Sequence, residues 1–160
     1  MNKYSLELKT EVKKIIDYYE QNDNFEFLQK IMKFFYEIIK NYIPEDYFII
    51  PKKCICSFTR NALEIWEKNG SEEELSELWK KYLLILSEKK LSKERNKKEE
   101  AACNCMLSIL YNGHDDPQNQ FVHDFIELFI YELERMEIKE EYVRKTLEKY
   151  FKEIKEENDK

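Results

Sequence analysis

The side chains best suited to chemistry lie between residues 114 and 127: His114, Asp115, Asp116, His123, Asp124 and Glu127. Imidazole together with carboxylate can bind zinc, iron or nickel, and His123 and Glu127, four positions apart, share one face of a helix. A helical metal-dependent enzyme using His114, His123 and Glu127 is therefore one reading. The spacing is loose, however, and Asp115 and Asp116 have a sufficient structural task. They precede Pro117, where a helix starts and its free N–H groups and dipole favour carboxylates. On that reading the aspartates form a solvated cap, and neither a metal nor any other cofactor is expected.

The four cysteines form two Cys-x-Cys units, Cys54/Cys56 and Cys103/Cys105. Zinc sites prefer four thiolate or imidazole ligands, usually with Cys-x-x-Cys-type spacing. On a helix, residues two apart point about 200° from each other, so neither pair chelates. One member of each pair is expected to face the core, where a free thiol behaves as a small hydrophobe. The two glycines, Gly70 and Gly113, lie outside any phosphate-cradling loop, so Walker and dinucleotide fingerprints are missing. Two histidines without a strand-borne nucleophile leave a Ser or Cys triad without its parts. The residue inventory argues against catalysis.

Five residues punctuate the 160-residue chain: Pro44, Pro51, Gly70, Gly113 and Pro117. Between them run stretches with apolar residues at helical spacing. Leu8, Val12, Ile15, Ile16 and Tyr19 predict a helix over 5–19. Phe27, Leu28, Ile31, Phe34, Phe35, Ile38 and Ile39 predict a second over 25–41, whose wide apolar surface suits the centre of a bundle. Tyr47 to Ile50, between two prolines, is too short for a helix and too apolar for an exposed loop. It reads as a strap across the core or as one short strand. A third helix from Pro51 to residue 69 buries Ile55, Phe58, Ala62, Ile65 and Trp66, with the proline in its first turn.

Ser71 and Glu74 form a capping box for a fourth helix carrying Leu75, Leu78, Trp79, Tyr82, Ile85 and Leu86. The pattern fades from Lys89 to Glu100, so residues 72–111 are either one continuous helix or two with a break near 91–96. Ala102, Cys105, Met106 and Ile109 face inward in the next segment. Phe121, Val122, Phe125, Leu128, Phe129, Leu133 and Met136 predict an apolar face over 117–136, and Val143, Leu147, Tyr150, Phe151 and Ile154 another over 140–155. The expected fold is all-α, a single-domain bundle of six to seven helices covering residues 1–160.

Composition narrows the function classes. Hydrophobic residues make up 42% and charged residues 38%, enough for a large core under a heavily solvated exterior. No apolar run reaches the roughly 18 residues of a membrane span, and the N-terminal residues lack the apolar stretch of a secretion signal. With free cysteines, this predicts a cytoplasmic protein. Lys89, Lys90, Lys93, Arg95, Lys97 and Lys98 form a basic run that a regulatory or scaffold protein could use on phosphates. The formal net charge of −6 would repel a polyanion, so no nucleic acid partner is expected. The acidity is local: residues 101–160 hold 14 acids against 8 basic residues. Asp124, Glu127, Tyr131 and Glu134 share a stripe opposite the Phe121/Phe125/Phe129 face. Carboxylates around an exposed tyrosine suit a cationic protein partner, the charges steering encounter and the ring anchoring it. The expected binding residues are Asp124, Glu127, Tyr131 and Glu134, with Asp115 and Asp116 beside them.

In size, acidity, helical content and lack of catalytic groups the chain resembles the immunity proteins of bacterial polymorphic and contact-dependent toxin systems. That resemblance implies a small cytosolic protein that neutralises a cognate toxin, frequently a basic nuclease, by covering its active site or an adjacent surface. It rests on composition, so it transfers no binding residue.

Overall fold

The computed structural model describes residues 3–21, 25–48, 50–68, 72–90, 97–109 and 122–158. Among them are seven α-helices and no strand: α1 (Leu6–Gln21), α2 (Phe25–Tyr42), α3 (Lys52–Glu67), α4 (Glu72–Lys90), α5 (Lys97–Ile109), α6 (Val122–Arg135) and α7 (Glu140–Asn158). The fold is an all-α bundle. The helix-break region at 91–96, the Ser71 cap, the two glycines and Pro117 lie outside the described residues.

Helix α2 is the centre, as its wide apolar surface predicts. Phe27, Ile31, Met32, Phe34, Phe35, Ile38, Ile39 and Ile43 are all buried, and the helix packs against α3, α5 and α7. Fully burying one such side chain stabilises the fold by roughly 1.5–3 kcal/mol. The rings interlock: Phe35 stacks on Phe129 of α6 at 4.2 Å, and Phe34 meets Phe129 and Phe151 edge-on at 5.8 and 6.2 Å. Pro44 follows the end of α2 and opens a 3-10 turn over Glu45–Tyr47. The chain beyond it lays Phe48 and Ile50 into the core, a strap without strand pairing. Pro51 stands one position before α3, not in its first turn, and its carbonyl accepts the N–H of Cys54 and Ile55.

Helix α5 corrects the cysteine expectation. Cys103 and Cys105 are both buried, because α5 is enclosed by α2, α3, α6 and the 3-10 turn rather than by one neighbour. Ala101, Ala102, Cys103, Cys105 and Ser108 are small enough for several elements to approach it. Cys54 is exposed and Cys56 half-buried, so that pair places neither member in the core. Three buried hydroxyls are satisfied locally: Thr59, Ser108 and Thr146 donate to the carbonyls of Ile55, Asn104 and Tyr142, each four residues back.

The turn between α6 and α7 sets the end of α6. The N–H of Ile138 bonds to the Leu133 carbonyl at 3.1 Å and that of Glu137 to Glu134 at 3.0 Å, the two bonds of a Schellman motif. Glu137 occupies the left-handed position, φ 60°, usually taken by glycine. Leu133 and Ile138 are buried, which supplies the apolar contact that accompanies this motif.

Candidate functional site

The buried arc of α6 runs through Ile126, Phe129, Ile130 and Leu133 and continues to Met136 just past its end. Of the predicted face, Phe129, Leu133 and Met136 are buried, Leu128 is 41% exposed instead, and Ile126 and Ile130 are buried in addition. Phe121 and the side chains of Val122 and Phe125 lie outside the described residues. The reason is angular. Ile126, Ile130 and Leu133 are spaced four and three apart and follow Phe129 toward α2 and α5, and Leu128 points about 100° back from Phe129.

The outer face therefore holds Glu127 and Leu128, with Tyr131 one turn on and 55% exposed. Leu128 and Tyr131, three apart, are neighbours on the helix surface. Glu134 follows on the same stripe, but its carboxylate is not free to serve it. Its side chain is only 12% exposed; it accepts the backbone N–H of Tyr4 at 2.7 Å and lies 3.7 Å from Lys9 Nζ. Its charge is spent inside the fold. Asp124 lies on α6, but its side chain is outside the described residues, as are Asp115, Asp116 and His114 entirely and the His123 side chain. Of the predicted stripe, the structure brings Glu127 and Tyr131 together on the exterior.

Two residues that pattern reading left without a role complete the surface. Arg135, 16% exposed, bonds through Nη1 to Glu132 Oε2 at 2.8 Å and places Nη2 3.9 Å from Glu100 Oε1 on α5. Its guanidinium carbon stands 5.9 Å from the centre of the Tyr131 ring, within reach of a cation–π attraction. Glu132 is buried at 2% exposure and also accepts Asn104 Nδ2 at 3.2 Å. Burial pushes its carboxyl above the ordinary glutamate value; Asn104 and Arg135 pull it back, and Glu100 pushes it further up. The signal for Glu132 was available: one position before Leu133 and three after Phe129, it borders the buried arc, and Arg135 follows at i+3.

The rest of the described surface offers little chemistry. Among the described residues no three His, Cys, Asp or Glu side chains gather in a way that could hold a metal ion. The Cys105 thiol is pushed up by burial, then by Glu132 and Cys103, which keeps it protonated and unreactive. An open cleft of about 290 Å³ between α3 and α4 is lined by Glu64, Lys68, Glu74, Glu77 and Lys81 among others, a mixed-charge rim without a nucleophile or imidazole. Lys98, from the basic run, is occupied at the surface: it lies 5.1 Å from the Tyr47 ring centre and 3.9 Å from Glu137. None of the described helices is long and apolar enough to cross a membrane.

Comparison of the chain with protein-family models, with curated proteins and with solved structures returned no match.

Proposed function

We propose that the protein is a cytosolic binding module that neutralises a basic partner protein by direct contact, the role that immunity proteins fill against basic nuclease toxins, and that it does so through the outer face of α6. One observation carries the reading: Leu128 and Tyr131 stand exposed side by side on the helix that also presents Glu127, and Arg135 backs the Tyr131 ring. A large ring held before contact loses little freedom on binding, which is what makes tyrosine a frequent hot spot. Glu127 beside it supplies attraction for a cationic surface. Leu83 and Leu84 on α4 are also exposed, but being consecutive they point about 100° apart around the helix.

The test is affinity for the product of the neighbouring reading frame, measured by calorimetry against wild type, Tyr131→Ala and Glu127→Lys. Tyr131→Ala is expected to weaken binding by about 30-fold, the effect of a hot-spot residue near 2 kcal/mol. Glu127→Lys should weaken binding and flatten the salt dependence of the affinity. Both variants should melt where wild type does, because neither side chain is in the core. Unchanged affinity in both removes α6 as the contact face.

A further inference from the structure

Glu132 is harder to account for than the other described side chains of α6. It is buried at the boundary with α5, at 2% exposure, in a place where an apolar residue of similar volume would pack without desolvating a charge. Burial of an ion pair commonly stabilises less than hydrophobic packing would. What the carboxylate does achieve is geometric. It holds Arg135 Nη1 at 2.8 Å while Asn104 Nδ2 donates to its other oxygen at 3.2 Å, so the carboxylate itself is anchored from α5. The guanidinium so held stands over Tyr131, and its remaining partner, Glu100, is exposed and more distant at 3.9 Å.

We infer that Glu132 is a positioning residue: through Arg135 it fixes the Tyr131 ring, and a proton taken up at Glu132 frees the guanidinium and makes the α6 contact face acid-sensitive. The functional part rests on α6 being that face. The groups facing Glu132 are Arg135 on its own helix and Asn104, Cys105 and Glu100 on α5. Once protonated, Glu132 still accepts from Asn104 but loses the negative charge that holds the Arg135 guanidinium. Arg135 is then left to Glu100, whose exposed pairing is weak.

The sign of the linkage separates this release from unfolding. Burial raises Glu132 in the folded state, so the folded protein holds the proton more tightly than the unfolded chain does. Its contribution to stability is therefore full below the unfolded value and is lost as pH rises through the folded one. Acid loosens Tyr131 without destabilising the fold on Glu132's account.

The experiment reads Tyr131 directly and needs no partner. Its ring signal in an aromatic carbon–proton NMR spectrum, assigned by its loss in Tyr131→Phe, is followed from neutral pH downward for as long as the protein stays folded, because Glu132 takes up its proton more readily than an ordinary glutamate. Wild type and Glu100→Gln are expected to show one step. Glu132→Gln should lack it and hold the acid-form shift throughout, with a neutral-pH melting temperature at or above that of wild type. Should Glu132→Gln not fold, Arg135→Gln at its partly exposed position must also abolish the step. A ring signal that does not move with pH, a step that survives in Glu132→Gln or Arg135→Gln, or one that vanishes in Glu100→Gln overturns the positioning role. Such a failure leaves the affinity test of α6 intact, and unchanged affinity in Tyr131→Ala leaves the titration intact, so the two readings fall separately.

Discussion

Glu134 Oε1 accepts the backbone N–H of Tyr4 at 2.7 Å, joining residues 130 positions apart. The contact is one strand of a wider attachment between the start of the chain and the α6–α7 corner. The Tyr4 hydroxyl donates to the Ile138 carbonyl at 2.6 Å, and the N–H of Ser5 donates to Glu140 Oε1. Ser5 caps α1 by accepting the N–H of Leu8 at 3.2 Å. Arg144 closes the group, donating to Ser5 Oγ at 3.1 Å and pairing with Glu7 at 3.2 Å.

This attachment predicts a stability effect. Tyr4 is buried, and burial, then Glu134, raises its phenol so that it stays a protonated donor. Tyr4→Phe, which removes only the hydroxyl, should cost about 1 kcal/mol and lower Tm by roughly 2–4 °C. Glu140 adds a pH dependence of known sign. Its carboxyl is held below the ordinary value chiefly by the Ser5 N–H, so its contribution is present above the unfolded value and is lost as pH falls through the folded one. Calorimetric melts at acid pH should therefore show a smaller loss for Glu140→Gln than for wild type. Equal acid sensitivity of the two proteins would remove Glu140 from the attachment.

Glu137 makes the second prediction. A non-glycine residue at φ 60° costs about 1–2 kcal/mol from crowding of Cβ, and the side chain's contact with Lys98 at 3.9 Å is exposed and weak. Glu137→Gly should therefore stabilise the protein by about 0.5–1 kcal/mol in urea unfolding. Loss of stability would mean that the carboxylate matters more than the backbone.

Thiol reactivity supplies the third. Cys54 is exposed and Cys56 half-buried, whereas Cys103 and Cys105 are enclosed by the helices around α5. A chromogenic disulfide reagent should modify Cys54 rapidly and Cys56 more slowly in the native protein. Cys103 and Cys105 should react only after denaturant is added. Rapid modification of Cys105 in the native state would contradict the packing of α5.

The apolar spacing was sufficient for the all-α class, for the central place of α2, and for the buried residues of α1 and α2 among those described, the side chains of Tyr19 and Leu28 lying outside them, because a helix repeats every 3.6 residues whatever it packs on. Glu127 and Tyr131 were legible for the same reason: their angle on α6 already placed them away from Phe129. Everything set by neighbours was not. Whether Cys103 faces a partner depends on how many helices surround α5. Whether Leu128 is inside depends on the rotation of α6 against α2 and α5. Whether Glu134 serves a binding face depends on Tyr4, 130 residues away, needing an acceptor. Periodicity ranks the faces of one helix; only the tertiary structure decides which face meets a neighbour, because burial and charge pairing belong to pairs of elements and not to either alone.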